Sequence, residues 1–279
     1  MREVEPILVV ELFPQERKHL LELFSDLSEA DWEKPTVCQG WTVKDIGLHL
    51  LGDDLGYLSG RRDHFSNPFF TNKEMQQWDS LVKNINEANE LWVKATQRIS
   101  PRLLTDLLAL TGAQFYAYIK SLDQMAINGV VSWAGPNPAP IWLDTAREYT
   151  ERWLHQQQIR DAVHKRGLKE RKFFHPVLDA FVRALPHTYR DVPVADITVI
   201  KLVVTGEAGD SWYLVGEANH WSLYKEVEWQ PTTIVTMDQE TCWRRFTKGM
   251  RKEQARANMT VEGDEKLGEK MLDTVSIIA

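Results

Sequence analysis

Apolar residues recur at helical spacing from Leu12 to Leu27, at Leu12, Leu20, Leu21, Leu23, Phe24 and Leu27, and predict a first helix. Pro14 suits its opening turn. A loop from Ser28 to Trp41, punctuated by Pro35 and Gly40, leads to Thr42. Thr42 reads as an N-cap with Asp45 at the capping-box position. The helix it opens runs to about Arg61, and Val43, Ile46, Leu50 and Tyr57 place His49 near its buried stripe. After Asn67-Pro68, a third helix is predicted over about Lys73 to Ile99. Ser100-Pro101 then reads as the cap and first turn of a fourth, continuing to about Met125. A Gly/Pro-rich connection from Asn128 to Pro140 precedes a helix over about Leu143 to Lys165, closed by Gly167. Long helices joined by these loops suggest a four-helix bundle with one helix added.

The pattern changes after Gly167. Lys169-Glu170-Arg171-Lys172 reads as a charged linker, and one helix is predicted from about Pro176 to Leu185. β-branched and aromatic runs follow at Ile197–Val204, Ser211–Val215 and Thr232–Met237, with Gly206–Asp210 as a hairpin turn between the first two. Helices return at about Gln239–Phe246 and Asp264–Leu272. The fold class expected is multidomain, α followed by α+β. Residues 1-168 form the helix bundle and residues 169-279 a smaller α+β domain.

Composition narrows the function classes. A chain of 279 residues has room for two cores, and 43% hydrophobic with 26% charged residues is ordinary for a globular protein. A net charge of -7 argues against nucleic acid as a partner. The basic cluster Arg244-Arg245, Lys248 and Arg251-Lys252 reads as a solvated helix face. Cys38 and Cys242, far apart, make neither a disulfide framework nor a CxxC motif. The opening residues lack the pattern of a signal peptide, and no segment reaches membrane-spanning length. A cytoplasmic protein without membrane partners is expected, as a monomer or homodimer.

The chemistry-bearing pattern is Glu151-Arg152-Trp153-Leu154-His155, read together with His49. Residues at i and i+4 project from one helix face. Glu151 and His155 could therefore place a carboxylate oxygen and an imidazole nitrogen on one metal ion, with His49 as a third ligand from a facing helix. Two His, one carboxylate and an open fourth position make the ligand count of a catalytic zinc site. The same residues also read as an exposed ion pair and a core histidine, and spacing alone leaves both open.

Further residues add a resemblance. Trp32, the run Pro35–Asp45 and His49-Leu50 resemble the N-terminal signature of the mycothiol-dependent maleylpyruvate isomerase family, within the DinB-like superfamily of metal-binding bundles. Glu151–Ala162 resembles its second signature, in the expected order and separation. The resemblance implies a divalent metal such as zinc held by His49, Glu151 and His155, and a low-molecular-weight thiol such as mycothiol as cofactor. Metal coordination deprotonates a thiol at neutral pH. The thiolate would add to the activated double bond of a maleylpyruvate-like dicarboxylate, permit rotation and leave, or would attack another small electrophile and stay attached. The second half is similar to sterol-carrier-type α+β domains, through Asp238–Trp243, Phe246–Gly249 and Val261–Asp264. The family brings an arginine from this domain towards the site, for which Arg245 and Arg251 are the candidates.

Gln158 departs from the pattern: many relatives carry Asp there, and a neutral amide cannot serve as a carboxylate base. This tilts the expected reaction from isomerisation towards S-transfer. A hydrolase with metal-bound water and a non-enzymatic small-molecule or lipid carrier are the competing readings. Asp53 and Asp54, one turn beyond His49, could stand behind the metal ligands, but read more readily as ordinary surface carboxylates.

Overall fold

A computed structural model describes residues 1–65, 78–194 and 196–276. Asn67-Pro68 and the start of the helix expected from Lys73 lie outside the described residues. The chain divides into two compact units, one formed by Val10–Leu122 with Arg152–Leu168, the other by Met1–Val9, Asp123–Glu151 and Lys169–Ala279. The boundary expected at 168 coincides with one junction, and two earlier segments join the second unit.

The first unit is helical. It contains α1 (Phe13–Ser25), α2 (Glu29–Trp32), α3 (Val43–Tyr57), α4 (Trp78–Thr96), α5 (Pro101–Lys120) and the end of α6 (Ile141–Val163). The caps form where the sequence places them. Thr42 Oγ1 accepts from Asp45 N while Asp45 Oδ2 accepts from Thr42 N at 2.8 Å, and Ser100 Oγ accepts from Leu103 N. α3 packs on α4 and α5, and α1 packs on α5. Leu20, Phe24, Ile46, Leu50, Leu104 and Ile159 share one core. Trp92 Nε1 donates to the Leu48 carbonyl at 2.7 Å, and a Cβ on Gly52 would lie 2.6 Å from that same nitrogen. The absent side chain at Gly52 is what admits the indole.

Helix α6 is unusual in burying Thr150, Arg152, His155, Gln156, Gln157, Gln158 and Arg160. Buried polar groups must be paired to be tolerated, and these are. Arg152 Nη2 donates to Asp54 Oδ1 at 2.8 Å, and Arg17 donates to both Asp54 oxygens at 2.8 and 3.1 Å. Thr111 Oγ1 donates to Asp54 Oδ2 at 2.7 Å. Asp54 is fully buried, which corrects its reading as a surface carboxylate: two arginines and a hydroxyl replace its water. Gln156 Nε2 donates to the buried Glu16 at 2.7 Å, and Arg160 donates to Gln156 Oε1.

The second unit is built on a sheet of order β1-β6-β5-β4-β7-β8. Its strands are β1 (Arg2–Glu3), β4 (Thr198–Thr205), β5 (Ser211–Glu217), β6 (His220–Glu226), β7 (Thr233–Asp238) and β8 (Met259–Gly263). β4 and β7 run parallel and the other pairs antiparallel. β2 (Ile127–Val130) and β3 (Pro138–Pro140) form a separate ribbon inside the stretch expected as a connection. The helices are α7 (Arg171–Val182), α8 (Leu185–Thr188), α9 (Gln239–Phe246), α10 (Lys252–Ala257) and α11 (Glu265–Glu269). α7 starts five residues before Pro176, which lies inside it. Among the described residues no helix is long and apolar enough to cross a membrane.

Candidate functional site

His49 sits midway along α3, and His155 lies on the part of α6 that belongs to the same helical unit. Each is only 6% exposed. Their Nε2 atoms approach to 3.1 Å, with the rings edge to face at 81°. Asp53, one turn after His49, places Oδ2 3.2 Å from the same His49 nitrogen. The Trp41 ring lies 5.2 Å from that of His49, and its indole N–H donates to Glu90.

The outer face of the pair is built by the preceding loop. Trp41 N donates to the Cys38 carbonyl, and Gly40 between them has φ 82°, the conformation that a type II turn requires at its third residue. Thr36 Oγ1 accepts from Cys38 N and donates to the Trp41 carbonyl. This tight turn carries the Cys38 thiol to Gln158 Oε1, at 3.3 Å. The same oxygen lies 2.7 Å from His155 Nδ1. An amide oxygen only accepts, so it offers a partner to a proton on His155 Nδ1.

Burial drives the His49 pKa well below its ordinary 6.5, aided by repulsion from His155 and Arg152. A neutral imidazole is the form that ligates a metal. The donor set thus has the chemistry of a cation site: two buried imidazoles facing nitrogen to nitrogen. Among the described residues, however, no group of three His, Cys, Asp or Glu side chains is arranged to hold a metal ion. Glu151 stands one turn before His155 on α6 and is half-buried. Burial opposes the charge on Arg147, and attraction to Glu148, Asp144 and Glu151 outweighs it and raises its pKa. The structure brings His49 and His155 together, and adds Asp53 and Gln158, the first of which the sequence reading leaves at the surface.

Residues 13–160 match the family of the mycothiol maleylpyruvate isomerase N-terminal domain. The chain belongs to this family. The match to the mycothiol maleylpyruvate isomerase family spans both histidines and Glu151. Among solved structures, the crystal structure of the mycothiol-dependent maleylpyruvate isomerase is similar over 85% of this chain and 86% of its own, at 10% identity and a TM-score of 0.51. A mutant of that isomerase, with one histidine changed to alanine, is similar over 91% of both chains, at 11% identity and a TM-score of 0.48. At 10% identity the first of these likenesses speaks for the fold alone, a helical N-terminal part followed by a sheet-rich one. No curated protein matches the sequence.

The two arginines that resemblance nominates both lie in the sheet unit of this family member. Arg245 donates Nε to the Leu272 carbonyl at 2.7 Å and Nη1 to the Met250 carbonyl at 2.9 Å. Arg251 precedes α10 and is exposed. A cavity of about 470 Å³ opens along α1 and α5, lined by Arg17, Leu21, Gly112 and Tyr116, and includes none of the nominated residues.

Proposed function

We propose that this chain is a metal- and thiol-dependent isomerase that acts on a small maleylpyruvate-like dicarboxylate and uses a thiol of the mycothiol type. The observation that carries the reading is the approach of His49 Nε2 and His155 Nε2 to 3.1 Å in a buried setting, within a chain of this family. Family membership indicates an enzyme of the isomerase type.

His49 and His155 would hold the cation, with Glu151 as the carboxylate one turn earlier on α6. When bound, the cation would supply the acidity that converts a thiol to its nucleophilic thiolate at neutral pH. The protein's own part is to keep the His49 imidazole neutral by burial, to hold the His155 ring through Gln158, and to cover His49 with the Trp41 ring. The resemblance nominates Arg245 or Arg251 as the substrate's carboxylate partner, and the Arg245 guanidinium already serves two backbone carbonyls. Gln158 accepts the bond that a carboxylate would accept from His155, which weakens the case for S-transfer that its neutrality first suggests.

The test combines metal analysis with turnover. Protein purified without a metal-binding tag should contain a divalent metal. With an added low-molecular-weight thiol it should convert maleylpyruvate to the trans isomer. His49→Ala and His155→Ala should lose metal and activity while thermal unfolding stays cooperative. A stable thiol conjugate in place of the trans isomer would favour S-transfer. Turnover without thiol would favour a hydrolase. Absence of metal and of turnover would leave the carrier reading.

A further inference from the structure

We infer that Gln158, anchored by Cys38, is a positioning residue that fixes the tautomer of His155. One chain of hydrogen bonds carries the argument, and all of its members belong to the helical unit. Cys38 Sγ donates to Gln158 Oε1 at 3.3 Å, which marks that end of the amide as the acceptor. The same oxygen lies 2.7 Å from His155 Nδ1 and selects the ring form that carries its proton there. His155 Nε2 then presents a lone pair to His49 Nε2 at 3.1 Å, where two N–H groups would repel.

The amide makes this arrangement informative. A carboxylate at this position would present an acceptor whichever way it turned. A glutamine has an oxygen end and an NH2 end. If the NH2 end faced His155, the ring proton would move to Nε2 and block the lone pair that faces His49. Two donors converging on Oε1, one from the ring and one from the thiol, hold the oxygen inward. Gln158 is 7% exposed, so water offers little competition for that oxygen. Cys38 therefore has a defined task, although neither its position in a loop nor its solitude in the sequence suggests one.

The consequence for metal affinity rests on the function proposed above, whereas the tautomer itself does not. The experiment uses the full chain, ¹⁵N-labelled and metal-free, with long-range ¹H–¹⁵N correlation spectra of the histidine rings. His155 is expected as the Nδ1–H form in the parent and in Gln158→Glu. Gln158→Leu should populate the Nε2–H form, and Cys38→Ala should do so in part. Zn²⁺ titration against a chromophoric chelator should show affinity weakened about 10- to 100-fold in Gln158→Leu, the range usual for partners of metal-bound histidines. Cys38→Ala should weaken it by less, and Gln158→Glu should retain it. An Nε2–H form in the parent, or a tautomer unmoved by Gln158→Leu, overturns the inference. An unmoved tautomer in Cys38→Ala removes the thiol's part. Tautomers that shift as expected in a protein that binds no Zn²⁺ support the positioning role and count against the metal reading instead.

Discussion

Asp54 and Glu16 are both fully buried carboxylates in the helical unit, yet their pKa values move in opposite directions. At Asp54 burial opposes ionisation, but Arg17 and Arg152 outweigh it and lower the pKa below its ordinary 3.8. The stabilisation from this ion cluster is present above pH 3.8 and is lost as pH falls through the lower folded value. Asp54→Asn leaves two arginines under-compensated and should cost about 3–5 kcal/mol at pH 7. Denaturant unfolding checks this, and the difference from the parent should shrink below pH 3.8. At Glu16 burial wins over Arg17 and Arg152 and raises the pKa above 4.5. The folded protein then holds that proton more tightly than the unfolded chain, so stability falls as pH rises from 4.5 to the folded value. Glu16→Gln should remove the penalty. Its stability gain over the parent should be near zero at the acid end of that window and grow with pH, and a gain independent of pH would refute the assignment.

At the scale of the element, α3 and α6 show what sequence can and cannot foretell. The α3 boundary was legible because Thr42 and Asp45 form a local capping box that depends on no distant partner. The start of α5 was legible through Ser100-Pro101 for the same reason. The length of α6 was legible too, but its burial was not. Local pattern names no partner for Arg152, Gln156 or Arg160, and the structure supplies Asp54 from α3, Glu16 from α1 and Gln156 within α6 itself. The same gap hid Asp54, and it concealed the Gln158 bond to Cys38 from a loop far away in sequence. Strands β6 and β8 escaped because His220–Glu226 and Met259–Gly263 mix charged residues into the pattern, and β8 is an edge strand of the sheet, where charge is common. α3 also carries a packing prediction. In Gly52→Ala the new Cβ meets the Trp92 indole, and overpacking of about 1–3 kcal/mol exceeds the gain in helix propensity of about 1 kcal/mol. The variant should unfold at a lower temperature than the parent, and the defect should vanish in a Trp92→Ala background.

At the scale of the whole molecule, the sequence expected a clean succession of two domains, but the sheet unit draws on three stretches of chain. β1 pairs with β6 through Arg2↔Glu226 and Glu3↔Tyr224, and Trp133 and Leu143 share a core cluster with Ala184. These are long-range pairings, which local patterning does not encode. A fragment of residues 169–279 lacks both contributions. It should show a lower melting temperature and a weaker near-ultraviolet dichroism signal than the intact protein, and a cooperative transition at the parental temperature would refute this. The chain also keeps its likeness to a solved isomerase at 10% identity. Drift on that scale meets an obstacle at Asp54, where Arg17, Thr111 and Arg152 arrive from three other helices to satisfy a single carboxylate. Loss of Asp54 strands both arginines, and loss of either arginine leaves the buried carboxylate with one cation fewer. Descent through this part of the molecule must therefore proceed in correlated steps, and the four positions should be inherited as a block or replaced as one.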